Sequence, residues 1–280
     1  MAKKRNIIVG QSGGPTSVIN SSLAGVYKTA KERGMLHGIQ GFLDEQYVDL
    51  STQIHSDMDI ELLKRTPSAF LGSCRFKLPD IHENPDIYDK IFNILDKLDI
   101  ETFIYIGGND SMDTIKKLSD YAILKGYTQK FLGVPKTIDN DLALTDHTPG
   151  FGSAAKYIAA STKEVIRDAL GLTYQKTMIT VIEVMGRNAG WLTGATALAK
   201  TEECDGPDLI YLPEIPFDID KFLKKVQDLL KKKESIIIAV SEGIKLADGR
   251  YVCELSGGAD YVDAFGHKQL QGTAAYLAGY

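Results

Sequence analysis

The chain has 280 residues, 44% of them hydrophobic, which is enough to bury a large core in one large or two medium α/β domains. A net charge of −5 with both signs spread along the sequence excludes the basic stripe of a nucleic-acid binder and the cationic face that meets anionic membranes. No apolar run approaches the roughly 20 residues that span a bilayer, the start MAKKRNIIVG runs into glycines rather than a signal-peptide core, and the three cysteines lack metal spacing, so a cytoplasmic protein with small-molecule partners is expected.

In chain order, NIIVG at 6 to 10 reads as a buried strand running into GQSGGPTS, with a helix expected from about Thr16 or Ser17 through the amphipathic stretch to Gly34. A glycine turn that opens on a helix offers free N–H groups and a positive helix end to phosphate; it also suits a tight turn that needs glycine for its backbone angles. It is not a Walker loop, since no Gly-Lys-Ser/Thr follows, and it does not match GxGxxG. NPDIYDKIFNILDKLD at 84 to 99 is helical, and TFIYIGG at 102 to 108 is a second buried strand. GGNDS after it repeats the design: Gly107 and Gly108 allow close approach, while Asn109, Asp110 and Ser111 supply oxygens or a helix cap.

The strand FLGV at 131 to 134 leads into PKTIDND, where Asp139 and Asp141, two apart in an extended stretch, can share a face and a cation. Mg²⁺ takes one or two carboxylates together with substrate phosphates. One aspartate can instead accept a proton while the other steadies the metal, the division of labour that phosphoryl transfer needs. LALTDHTPG at 142 to 150 reads as a crossing into a second domain. There the helix SAAKYIAASTKEVIRDAL, the strand MITVIEV, the loop MGRNAG, the strand LIYL, the helix DIDKFLKKVQDLLKKKE and the strand SIIIAVSEG follow one another. Alternating strands and helices predict mostly parallel sheets, with all five loops at strand carboxyl ends, where such sheets bind ligands.

These motifs resemble the phosphofructokinases over nearly the whole chain and stand in the family's order. TIDND is similar to the catalytic loop, MGRNAGW to the sugar-phosphate motif, LGSCRF at 71 to 76 to the segment bearing an arginine at the transferring phosphoryl group, and SEG at 241 to 243 to a glutamate that touches the sugar. The resemblance implies two similar Rossmann-like three-layer domains with the active site in the cleft between them. One would be a donor domain over 1–146, rejoined by 265–280, and the other a sugar-phosphate domain over 147–264. It implies Asp139 as base for the sugar 1-hydroxyl, Asp141 and Asn109 for Mg²⁺, and Arg75 at the transition state. Gly14, Gly108 and Ser111 would hold the donor phosphate, and Thr137, Met185, Gly186, Arg187 and Glu242 fructose 6-phosphate. Homodimers or homotetramers are implied too. His147 and His267 receive no role.

Lys136 and Asp110 replace glycines typical of ATP-dependent relatives and resemble the diphosphate-dependent branch. Asp110 in the space of a nucleotide α-phosphate would repel it by about 4 kcal/mol at ~4 Å and an effective dielectric of ~20, weakening ATP roughly a thousandfold. Lys136 would meet the departing phosphate. The expected activity is reversible, Mg²⁺-dependent transfer from diphosphate to fructose 6-phosphate in glycolysis and gluconeogenesis; the alternatives are an ATP-dependent enzyme or a silent regulatory subunit. Asn109 stands where many relatives carry aspartate, and the chain stops at Tyr280, before further sugar-phosphate arginine and histidine of the family pattern, so weakened sugar-phosphate affinity is expected.

Overall fold

A computed structural model describes residues 6–30, 33–174, 176–256, 270 and 272–280. The chain divides into two compact units, Met1–Thr137 and Ile138–Tyr280. The division falls nine residues earlier than the 146/147 crossing that the sequence suggests, directly after Lys136 and Thr137 and before the acid pair.

The first unit contains β1 (Asn6–Gln11), α1 (Ile19–Thr29), β2 (Arg33–Met35), α2 (Gly38–Leu43), β3 (Tyr47–Asp49), α3 (Asp57–Arg65), α4 (Pro85–Lys97), β4 (Ile100–Gly107), α5 (Asn109–Lys125) and β5 (Lys130–Pro135). Among the described residues its five strands lie in the order β3-β2-β1-β4-β5; β1 pairs in parallel with β2 and β4, β4 pairs in parallel with β5, and β3 is an antiparallel edge on β2. Side chains alternate across the sheet. Ile8, Phe103 and Tyr105 enter a core with α2, α4 and α5, whereas Val9, Ile104 and Ile106 enter another with α1 and α3. This is the three-layer build expected of buried parallel strands.

Local chemistry sets the ends of the helices. Ser56 and Asp59 form a capping box at the start of α3, Pro85 occupies the first turn of α4, and Gly126 closes α5 in a left-handed conformation. The helix expected from Thr16 or Ser17 to Gly34 is shorter. It starts at Ile19, after Pro15 and a turn, and ends at Thr29, because Arg33–Met35 leave it to extend the sheet beside β1.

The second unit contains α6 (Phe151–Gly171), β6 (Met178–Val184), the short α7 (Trp191–Gly194), β7 (Leu209–Tyr211), α8 (Ile219–Leu230), β8 (Ser235–Ser241) and α9 (Thr273–Ala278). Among the described residues its sheet has three parallel strands, β6-β8-β7, against five in the first unit. Ile236, Ile238 and Val240 of β8 face α8 and α9, and Ile237 faces α6, so this sheet is also covered on both sides. The expected return of 265–280 to the first domain is not what the described part does: α9 belongs to the second unit, where the Ala274 N–H donates to Glu183 Oε2 at 2.8 Å and Leu277 fills the α8 side of the core. His267 and the rest of 257–269 lie outside the described residues. No described helix is long and apolar enough to cross a membrane.

Candidate active site

Three strand ends of the first unit come together around a lysine. The Ser12 N–H donates to the Ile106 carbonyl at 2.9 Å, carrying the β1–β4 ladder one residue past the strand. Gly13 then turns the chain with φ of 76°, a left-handed conformation natural to glycine. A Cβ placed on Gly13 would lie 3.3 Å from Lys136 Nζ and 3.7 Å from the Gly108 nitrogen, so the turns after β1, β4 and β5 are in contact. Lys136 is only 5% exposed. Its N–H donates to the Gly107 carbonyl at 2.9 Å and its ammonium to the Gly14 carbonyl, which anchors the cation inside the glycine turn. Gly107 leaves no room for a side chain, since a Cβ would stand 2.0 Å from Ser111 Oγ and 3.1 Å from the Ser12 carbonyl.

The sequence-predicted donor residues Gly14, Gly108, Ser111 and Lys136 are therefore neighbours. Asp110 sits in the first turn of α5 beside them, where an acid is favoured by the positive helix end. Asn109 is the exposed first residue of that helix. Arg75 is exposed too, but its segment is fastened to the turn: Ser73 Oγ donates to the Gly13 carbonyl at 2.6 Å and Ser12 Oγ to the Cys74 carbonyl at 3.5 Å.

Two buried amides, to which the sequence reading gave no role, support this arrangement. Gln11 Nε2 donates to Asn20 Oδ1 at 2.9 Å and its Oε1 receives the Leu71 N–H at 2.9 Å. Asn20 Nδ2 donates to the Thr66 and Ser68 carbonyls at 2.9 and 2.8 Å, and its Oδ1 receives the Phe70 N–H. Both side chains are at most 1% exposed, and buried polar groups hold their place only when so satisfied. In the sequence they look like ordinary turn and helix polar residues. Their partners in the 66–71 segment lie 46 to 60 positions away, and no local pattern points there.

In the second unit the acid pair is shaped by the residue between its members. Asn140 has φ of 57°, its Nδ2 donates to the Asp146 carbonyl at 3.1 Å and its Oδ1 receives the Thr148 N–H at 2.8 Å. This clasp closes residues 140–148 into one turn, with Asp139 half-buried before it and Asp141 exposed after it. The string TIDND drew attention to its acids; the structural work of its asparagine went unread.

The sugar-phosphate candidates gather at the ends of β6 and β8. The Gly186 N–H donates to Glu242 Oε1 at 3.1 Å, and Ser241 Oγ donates to the Gly186 carbonyl. The fit is tight, since a Cβ on Gly243 would stand 2.1 Å from the Arg187 carbonyl. Burial pushes the Glu242 carboxyl above its ordinary value, the Gly186 N–H and Arg187 pull it back, and the charges of Glu183 and Asp139 add to the rise. Gly186, Arg187, Glu242 and Asp139 thus share one electrostatic neighbourhood. Met185 is exposed and, with Ile138, Tyr157 and Leu192, lines an apolar groove of about 320 Å³. Thr137 closes the first unit. Among the described residues no three His, Cys, Asp or Glu side chains form a metal cage. The hard oxygens of Asp139 and Asp141 nevertheless suit Mg²⁺, which takes few protein ligands and completes its shell with phosphate and water.

The chain, with its layered parallel α/β units and its glycine turns gathered on a buried lysine, belongs to the phosphofructokinase family, whose model, Phosphofructokinase, matches residues 6–278. The pyrophosphate–fructose 6-phosphate 1-phosphotransferase of Xanthomonas campestris pv. campestris is 43% identical over 278 residues, 98% of this chain and 65% of that protein. That of Halomonas elongata is 42% identical over 99% of this chain and 66% of its own length. A crystal structure of pyrophosphate-dependent phosphofructokinase from Nitrosospira multiformis superposes with a TM-score of 0.78 at 42% identity, covering 88% of this chain and 62% of that one. The chain spans just under two thirds of the length of the curated relatives it matches.

Proposed function

We propose that the chain carries the residues of a diphosphate-dependent 6-phosphofructokinase. In the reaction the fructose 6-phosphate 1-hydroxyl oxygen forms a bond to one phosphorus of diphosphate, the bridging P–O bond breaks, and fructose 1,6-bisphosphate and phosphate result. Asp139 takes the hydroxyl proton and returns it in the reverse direction. Lys136 meets the leaving phosphate as a positive charge fixed in advance by the Gly14 carbonyl, so little reorganisation is needed when charge builds up. Asp110 at the head of α5 stands against a nucleotide α-phosphate. Gly14, Gly108 and Ser111 receive the donor, Arg75 its transferring phosphoryl group, and Thr137, Met185, Gly186, Arg187 and Glu242 the sugar phosphate. Asp141 and Asn109 are the candidates for holding Mg²⁺, which when bound neutralises phosphate charge. A homodimer or homotetramer in the cytoplasm completes the reading.

The observation that carries it is the buried lysine fastened into the glycine turn at a position where ATP-dependent relatives typically have glycine. Initial rates with fructose 6-phosphate, Mg²⁺ and either diphosphate or ATP test it. A kcat/KM for diphosphate at least a hundredfold above that for ATP is expected, and Asp139→Asn should lower kcat by about 10²- to 10⁴-fold. Comparable turnover with both donors would overturn the donor assignment.

A further inference from the structure

Ser73 stands two residues before Arg75, and neither the motifs nor the reading above assigns it a task. Its hydroxyl donates to the Gly13 carbonyl at 2.6 Å. Across a planar trans peptide the C=O and the following N–H point in opposite directions, so this bond turns the Gly14 N–H away from Ser73. Gly14 is exposed, a Cβ on it would meet nothing within 4 Å, and its N–H donates to no acceptor among the described residues. The next carbonyl, that of Gly14, is taken by the Lys136 ammonium. Two consecutive carbonyls, which would repel a phosphate oxygen if they faced it, are thus both held by protein donors.

The anchor matters because the peptide it holds joins two glycines. With no Cβ on either side, that unit can flip at little steric cost and present oxygen in place of N–H. Ser73 is itself well placed to resist the flip. The backbone before it is held by Gln11 through the Leu71 N–H and by Asn20 through the Phe70 N–H, and the Cys74 carbonyl after it receives Ser12 Oγ.

We propose that Ser73 is a positioning residue for the donor anion: by holding the Gly13 carbonyl it keeps the Gly13–Gly14 peptide turned with its N–H toward bound diphosphate. The assignment rests on the donor reading above and is tested apart from it. Calorimetric titration of inorganic diphosphate into the protein with Mg²⁺ and no sugar measures donor binding alone; initial rates then give KM for each substrate, and thermal unfolding gives Tm. Ser73→Ala should weaken diphosphate binding about 5- to 10-fold, the worth of one hydrogen bond, and raise its KM alike. KM for fructose 6-phosphate and Tm should stay at wild-type values. Ser73→Thr should restore binding, and Ser73→Cys, a weaker donor of similar size, should fall between the two. Wild-type affinity in Ser73→Ala sinks this inference alone, as does a loss that spreads to the sugar KM and Tm and is not relieved by threonine. A wild-type protein that does not bind diphosphate sinks the donor reading and this inference together.

Discussion

Lys136 shows how one side chain can be singled out for its charge and still surprise in its setting. Its place before TIDND is what makes it our proposed cation for a departing phosphate; its burial and its bond to the Gly14 carbonyl follow from strand ends that meet across 122 residues, which no local pattern encodes. Lys136→Met keeps the stem that packs there and deletes the charge. We expect kcat with diphosphate to fall about 10²- to 10³-fold while Tm changes little, as initial rates and a melting curve will show. Glu242 offers a test of different sign. Its carboxyl titrates above the ordinary range because burial penalises the charged form, so the native state holds this proton at pH values where the unfolded chain has lost it. That contribution to stability is present at acid pH and is lost as pH rises through the raised value. Denaturant midpoints measured across pH should therefore fall over that window in the wild type, and the fall should be absent in Glu242→Gln, which can still receive the Gly186 N–H. A Glu242→Gln variant more sensitive to rising pH than the wild type would refute the assignment.

At the scale of elements, the strands were the most legible part, since runs such as NIIVG, TFIYIGG and SIIIAVS are too apolar and β-branched to lie anywhere but inside a sheet. The short edge strands β2 and β3 were not, because three residues carry no periodicity, and β2 was absorbed into the helical pattern of α1. The loops were legible as glycine-rich and acidic, but not their fastenings: Gln11, Asn20, Ser73 and Asn140 act through partners distant in sequence or through a left-handed turn. Asn20→Ala measures what one such fastening is worth. It removes the shared partner of the Phe70 N–H and the Thr66 and Ser68 carbonyls at a part-buried place, and a loss of about 1–3 kcal/mol in urea unfolding is expected; a loss below ~0.5 kcal/mol would show that water replaces the amide freely.

For the molecule as a whole, the family resemblance fixed the layered α/β class, while the unit boundary and the place of the C-terminal helix had to come from packing. α9 stays with the second unit because Leu277 fills the α8 side of the β8 core and the Ala274 N–H caps Glu183. The first unit leans on an aromatic cluster in which Phe92 meets Tyr127, Tyr121 and Phe131 at centroid distances of 4.4 to 5.6 Å. Phe92→Ala should cost that unit about 3–5 kcal/mol, read from the shift of its unfolding transition. The pairing of β1 with β4, and of β4 with β5, also sets a timetable for biogenesis. The glycine turn is synthesised by residue 17, yet the strand that braces it ends at Gly107 and the lysine that fills it is residue 136. A ribosome must therefore release 136 residues before the turn can close on its lysine, so this closure comes at the very end of the synthesis of the first unit, Met1–Thr137.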